Sequence, residues 1–222
     1  MELKLRKLIS LLFLKVDRFF FSKHDFVIIS NNCWGAEIYK RLGKRYNTPF
    51  VGLFLYSPDY IKLLQNFDYY MSLEVKPRKK SIWVYEELDY PLGQLGDIEI
   101  HFMHYKNFNE AFQKWNRRVK RMKLVKDKDK FFFKICDRDK STKSILKTFH
   151  DLPFKNKVSF SVYNLNLRNN INIKSSNNTE HAPDGVILYR LTHNYFDLFY
   201  WIRFRVVKNT MYNNLKSSLR FY

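Results

Sequence analysis

A chain of 222 residues is long enough for one domain with a substantial core, and 45% hydrophobic with 18% aromatic residues excludes global disorder. Lys and Arg number 40 against 21 Asp and Glu, a formal charge of +19 that points to nucleic acid, an anionic membrane surface or a phosphorylated substrate. The joint abundance of Lys, Asn, Ile, Phe and Tyr is also what an AT-rich genome yields without any selection for binding.

Charge is all that favours nucleic acid, because no RNA-binding signature, zinc finger or helix-turn-helix pattern is present. Cys33 and Cys136 form neither a disulfide framework nor a CxxC spacing, which suits a reducing compartment. No metal-ligand set and no cofactor is assigned. No apolar run reaches the ~20 residues that cross a bilayer.

The N-terminal segment, residues 1–21, has an apolar stretch from Leu8 to Leu14 closed by Lys15, Asp17 and Arg18, so it does not read as a signal peptide. Leu5, Leu8, Ile9, Leu12, Phe13, Val16, Phe19 and Phe20 recur at helical spacing, with Lys4, Lys7, Lys15 and Arg18 on the other face. Such a basic amphipathic helix sits in the headgroup region of an anionic leaflet. The alternative is a helix packed on its own domain.

From Asp25 onward strands and helices alternate. Phe26–Ile29 reads as a strand, Ser30-Asn31-Asn32 as a turn, and Trp34–Leu42 as a helix stopped by Gly43. Phe50–Leu55 is the next strand, and Ser57-Pro58-Asp59 opens a helix. Ile82–Tyr85 and Ile98–Met103 read as strands, while Tyr90–Gly96 reads as a turn with two glycines. Asn107 and Glu110 form a capping-box spacing before a helix that aligns Phe112, Trp115, Val119 and Met122. Phe131–Ile135 is a strand, Ser141 or Thr142 caps another helix, and Val158–Val162 is again a strand. Residues 164–179 are Asn- and Ser-rich and read as a mobile loop, with a chance sequon at Asn177-Asn178-Thr179. Gly185–Tyr189 reads as a strand, Asn194–Val207 as an aromatic helix, and residues 203–222 as a basic tail whose end frays. The alternation predicts a single α/β domain over residues 22–202, a three-layer, Rossmann-like architecture with a largely parallel sheet.

The segments SNNCWGAEIYKRLG (Ser30–Gly43), YNTPFVGLFLYSPDYIKLL (Tyr46–Leu64), YPLGQLGDIEIHFMHY (Tyr90–Tyr105), WNRRVKR (Trp115–Arg121), LPFKNKV (Leu152–Val158) and YFDLFYWI (Tyr195–Ile202) occur in this order. Together they resemble a bacterial family built on a domain of unknown function, DUF1919, whose members are labelled exopolysaccharide biosynthesis proteins and in some cases acetyltransferases. The resemblance implies an α/β fold and a setting among capsule and exopolysaccharide genes, without a settled activity or known catalytic residues. The Asn-rich loop and the basic tail depart from the family pattern.

Gly96-Asp97-Ile98-Glu99-Ile100-His101 is the sharpest chemical pattern. On a strand, Asp97, Glu99 and His101 share a face with ~6–7 Å between neighbours, near enough for a carboxylate to orient an imidazole as general base. His104 is placed to join from the following loop. The competing reading is a polar strand face whose acids pair with nearby cations. Ser30–Gly35 lies where a strand gives way to a helix, the edge that holds ligands in open α/β sheets. There Asn31 and Asn32 offer amide groups to hydroxyls or phosphate, and Cys33 is either an acyl-accepting nucleophile or a small buried residue. Trp34 either stacks on a sugar ring or belongs to the core. Arg117 and Arg118 either grip a phosphorylated donor or lie on a solvated helix face. Asp137-Arg138-Asp139 binds a metal or a sugar, or forms a salt-bridged turn.

The expected function is therefore transfer onto a surface-glycan precursor at the cytoplasmic face of the plasma membrane. His101 would be the base, Asp97 or Glu99 would orient it, and Asn31, Asn32, Cys33, Trp34, Arg117 and Arg118 would hold the substrate. The expected partners are the glycan precursor, a nucleotide-sugar or lipid-phosphate donor, and the anionic membrane surface. The alternative is a non-catalytic accessory protein of a membrane glycan-assembly complex.

Overall fold

A computed structural model describes residues 2–173 and 180–219. Its elements begin with α1 (Glu2–Phe21), β1 (Val27–Ser30), α2 (Trp34–Leu42), α3 (Ser57–Gln65), α4 (Phe67–Tyr70) and β2 (Lys76–Arg78). They continue with β3 (Leu92–Leu95), β4 (Ile98–His101), α5 (Phe108–Leu124), a 3-10 turn (Lys128–Lys130), β5 (Phe131–Cys136) and α6 (Lys143–Asp151). The chain closes with β6 (Lys157–Ser161), β7 (Asn170–Asn172), α7 (Gly185–Thr192), α8 (Leu198–Phe204) and α9 (Met211–Ser218).

Two sheets result. One is parallel throughout, in the order β1-β5-β6-β7, and the other is the antiparallel set β2-β3-β4. Every residue of β5 is buried, and strand alternation divides them between two cores. Phe131, Phe133 and Ile135 join one core, together with Tyr60, Trp115, Phe149 and Ile100. Phe132 and Cys136 join the other, with Trp34, Leu188 and Trp201. The parallel sheet is thus the middle layer of an α/β sandwich: α3 to α6 and the small sheet cover one face, and α2, α7 and α8 the other.

Local chemistry sets the element ends. Gly43, at φ 64°, ends α2 in the left-handed conformation that only glycine adopts freely. Asn107 accepts from Glu110 N at 2.9 Å while Glu110 accepts from Lys106 N at 2.9 Å, so the expected capping box forms with the back-bond displaced by one residue. Thr142 caps α6 through Ile145 N.

Several expectations give way to tertiary context. Gly185–Tyr189 is helical, because Asp184 accepts from both Val186 N and Ile187 N and starts α7 there. Phe50–Leu55 is no strand, because the chain bends at Val51-Gly52, where Gly52 takes φ 73°, and only one bridge forms, Phe54 to His101. Ile82–Tyr85 is irregular, since the Ser81 hydroxyl takes the N–H groups of Trp83 and Val84 that a strand would need. The glycine-containing turn at Tyr90–Gly96 holds β3, paired to β4 across Gly96-Asp97. The Asn-rich stretch supplies β7, whose Asn170 amide donates to Ser159 and Ser161. Residues 174–179, with the sequon, lie outside the described residues.

The basic tail is partly helical and anchored. Lys216 of α9 is buried and lies 2.9 Å from the buried Asp17 carboxylate of α1, which also meets Arg41 at 3.5 Å and Tyr212 Oη at 2.9 Å. This cluster fastens α1 and α9 to α2, so α1 packs on the domain through Asp17 and Phe21. Phe13 meets the Tyr212 ring edge-on at 5.4 Å, whereas Leu5, Leu8, Leu12, Val16 and Phe19 stay exposed.

Removing the carboxylate with Asp17→Ala leaves the Lys216 ammonium buried without its counter-charge and is expected to cost about 3–5 kcal/mol in chemical denaturation. His193 packs beside the same cluster, and burial, aided by Lys216 and Arg41, holds its pKa down to about 3. Because the unfolded chain binds a proton near pH 6.5 that the native state refuses, stability is full above that pH and falls as pH drops toward 3. Between pH 7 and 5 this residue is expected to remove about 2 kcal/mol. His193→Gln should flatten that slope in denaturation curves recorded across the range.

Candidate functional site

The two sheets are joined by one extended segment. Leu55 N–H donates to Asn31 O at 2.9 Å beside the end of β1, and Phe54 exchanges two 3.0 Å backbone bonds with His101 at the end of β4. A cleft of about 430 Å³ opens at this junction, over the carboxyl ends of β1 and β5, where open parallel sheets collect ligands. Asn32 and Cys33 line it from the β1–α2 turn, Arg138 and Asp139 from the end of β5, Phe54 and Tyr90 from the junction with the small sheet, and His104 and Asp184 from the rim.

The turn after β1 is shaped by a residue the sequence reading passed over. Lys134, fully buried in the middle of β5, donates to Asn31 Oδ1 at 3.2 Å and Asn32 Oδ1 at 3.0 Å and lies over the Trp34 ring. Burial pushes its pKa down, while Cys136, Asp139 and Asp137 oppose the shift. The signal was legible: a single lysine inside the run Phe131-Phe132-Phe133-Lys134-Ile135-Cys136 cannot reach solvent. Gly185 lets α7 abut this turn, since a Cβ there would come within 2.5 Å of Trp34 N and 2.9 Å of Asn32 Oδ1.

Past β5 the chain turns through two successive left-handed residues, Asp139 (φ 62°) and Lys140 (φ 58°). Such conformations are unfavourable by about 1–2 kcal/mol each for side chains with a Cβ. Tertiary bonds hold them: Ser57 N donates to Asp139 O at 2.8 Å and Ser57 Oγ to Arg138 O at 3.1 Å. Burial raises the Asp139 carboxyl above its ordinary range. Asp137 is inward-facing and ties Val162 N and Ala182 N at 2.7 and 2.6 Å.

Beneath the cleft lies a line of three groups. Glu99 is fully buried and accepts from Ser81 Oγ at 2.5 Å, Ile82 N at 3.0 Å and Arg78 Nε at 3.0 Å. Its Oε1 lies 2.8 Å from His101 Nε2, off the axis of a linear hydrogen bond, so that contact is chiefly electrostatic. His101, also fully buried, stacks on Phe54 at 4.4 Å and meets Tyr90 Oη at 3.1 Å through Nδ1. Burial lowers the His101 pKa against the pull of Glu99, so the ring is neutral near pH 7. With the proton on Nε2, Nδ1 accepts the Tyr90 proton. Burial holds the Tyr90 phenol protonated, with its pKa pushed up to about 12. Asp59 supports the line from behind, accepting from Glu99 N at 3.0 Å and Trp83 Nε1 at 2.7 Å.

The sequence-derived candidates separate accordingly. Glu99 and His101 come together, but Asp97 does not join them. It sits in the β3–β4 turn, exposed, bound to Lys62 and Tyr70, and four residues of strand put it roughly 13 Å along the chain from His101. Asn32 and Cys33 line the cleft and Asn31 does not, although both asparagine oxygens accept from Lys134. Burial raises the Cys33 thiol, which disfavours the thiolate a nucleophile needs. Trp34 is a core residue whose Nε1 donates to Thr192 Oγ1 at 2.9 Å, so it has no face left for a sugar. Arg118 is buried, bonded to Tyr105 Oη at 2.6 Å and Val51 O at 3.3 Å, and serves the fold. Arg117 is exposed on α5, and neither arginine lines the cleft.

The family described as a domain of unknown function (DUF1919) matches residues 6–204. The chain belongs to that family. An uncharacterized protein of Haemophilus influenzae is 43% identical over 134 residues, a match that covers 60% of this chain and 60% of that one. All residues lining the cleft, and Lys134 behind it, fall within the DUF1919 match, while α9 lies beyond it.

Because Glu99 is the group that raises the His101 pKa against burial, Glu99→Gln is expected to lower the pH at which the imidazole protonates still further. Ring-nitrogen NMR across pH 4–8 reads this directly; an unchanged midpoint would show that Glu99 does not act on the ring.

Proposed function

We propose that this DUF1919 protein is a transferase that modifies or extends a hydroxylated precursor of an exopolysaccharide or capsule. One observation carries the reading: a buried carboxylate and imidazole end on a phenol that opens into a cleft. Such a line suits proton transfer from an acceptor hydroxyl. As the hydroxyl oxygen bonds to the transferred group, its proton passes to Tyr90 Oη, and the Tyr90 proton moves to His101 Nδ1. The imidazolium so formed is stabilised by the Glu99 carboxylate, and the donor's leaving group departs with the bonding electron pair. A depressed imidazole pKa keeps His101 free to accept, and a protonated phenol lets Tyr90 relay without first losing charge.

The lining favours a carbohydrate. Phe54 and Tyr90 offer ring faces to sugar C–H groups, and Asp139, Asp184 and Arg138 offer bonds to hydroxyls. The transferred group is of acyl or glycosyl type. Arg138 at the wall favours a phosphorylated donor such as a nucleotide sugar or a lipid phosphate. The likeness to proteins labelled for exopolysaccharide biosynthesis supports the same substrate class. Two free, buried cysteines suit a reducing compartment, and with it the cytoplasmic face of the membrane.

Tyr90→Phe and His101→Asn are each expected to reduce glycan modification by about 10²–10⁴-fold, the range for loss of a general base. The measurement is chemical analysis of surface polysaccharide from cells carrying each variant, with circular dichroism to confirm folding. An unchanged polysaccharide with folded variants would remove the relay from catalysis and move the reading to a non-catalytic accessory protein.

A further inference from the structure

The exterior of α1 carries an apolar face that the domain does not cover. At 100° per residue Leu5, Leu8, Leu12, Val16 and Phe19 fall within an arc of about 80°, and all five are exposed, Phe19 at 76%. Asp17 and Phe21, which bind α1 to the protein, point elsewhere and are buried. Lys15 borders the stripe on one side and is exposed.

On its other side the stripe runs into an apolar groove of about 420 Å³ between α1, α8 and α9. Phe20, Phe199, Tyr200, Phe204, Met211 and Tyr212 form its walls. The two carboxylates in the groove are already bonded: Asp17 to Lys216 and Tyr212, and Asp197 to Tyr200 N and Thr210 Oγ1. The free charge at the rim is positive. Arg203 lies over the Phe20 and Phe204 rings at 5.2 and 5.5 Å, and Lys208 over Tyr200 at 4.5 Å.

We propose that this surface docks on an anionic lipid bilayer, with the α1 stripe lying among the acyl chains, one lipid tail in the α1–α8–α9 groove, and its phosphate at Arg203. The charge decides the occupant. A second copy would bring another +19 chain against this one, whereas an anionic leaflet supplies the opposite sign beside an apolar interior. No helix among the described residues is long and apolar enough to cross a membrane, so the contact is peripheral. It stands apart from the cleft and does not depend on the transferase reading.

The test is co-sedimentation with vesicles of equimolar phosphatidylglycerol and phosphatidylcholine, against vesicles of phosphatidylcholine alone. The full chain is expected to bind the anionic vesicles at least tenfold more tightly and to lose that advantage in high salt. Leu12→Gln with Phe19→Gln, two exposed positions, should weaken binding tenfold or more at unchanged melting temperature, and Arg203→Gln should weaken it less. A tryptophan introduced by Met211→Trp should be quenched by lipids brominated along the tail. Absence of binding, or binding indifferent to the double variant, overturns the docking surface. Binding without quenching overturns the groove as a lipid site. A dimer in light scattering that the double variant dissolves assigns the stripe to self-association instead.

Discussion

A lysine amine sealed in the middle of a parallel sheet constrains much of this molecule. Lys134 is fully buried, and an amine in the interior is costly unless polar groups gather around it. Asn31 and Asn32 supply the oxygens. That requirement fixes the turn after β1, and the turn in turn fixes the start of α2, the approach of α7 at Gly185 and one wall of the cleft. The Asn32 amide also donates to Cys136 Sγ at 3.3 Å, so both its oxygen and its nitrogen are used in holding the turn.

The second wall comes from a different sheet, and burial gives it its chemistry. In water Glu99, His101 and Tyr90 would be an ordinary acid, base and phenol. Enclosed by Phe54, Tyr56 and the β3–β4 hairpin, they sit where charge is dear and proton positions are fixed by partners. The imidazole pKa falls and the phenol pKa rises for the same reason, loss of solvent. Phe54 connects the halves, because the strand-like bridge that carries it touches His101 on one side while its neighbour Leu55 touches Asn31 on the other.

Polar ties also decide how the ends of the described chain are used. The Asp17–Lys216 pair, with Arg41 and Tyr212 around it, holds α1 and α9 against α2. An ion pair so deep is retained where its removal from one side would strand a charge. Phe21 and the half-buried Phe13 pack beside these anchors, while Leu5, Leu8, Leu12, Val16 and Phe19 remain on the surface.

The sequence by itself determined the features that depend on local chemistry. Periodicity and caps gave the α/β class, the mainly parallel sheet, α2 with its Gly43 stop, and α5 with its Asn107 cap. Alternation along β4 correctly put Glu99 and His101 on one face, and the turn after β1, expected at the carboxyl edge of the sheet, lines the cleft there. What only the tertiary structure decided was partnership. Asp97 matches the alternation of Glu99 and His101 but lies in the hairpin turn, since pairing with β3 begins at Ile98. Arg118 and Trp34 carry the chemistry of binding groups yet spend their donors on Tyr105 and Thr192. Tyr90, which meets His101 Nδ1 and lines the cleft, carries no local pattern that distinguishes it from the chain's other tyrosines. Spacing reports which side chains share a face, but burial and long-range hydrogen bonds settle which of them remain available, and those arise from residues far apart in the chain.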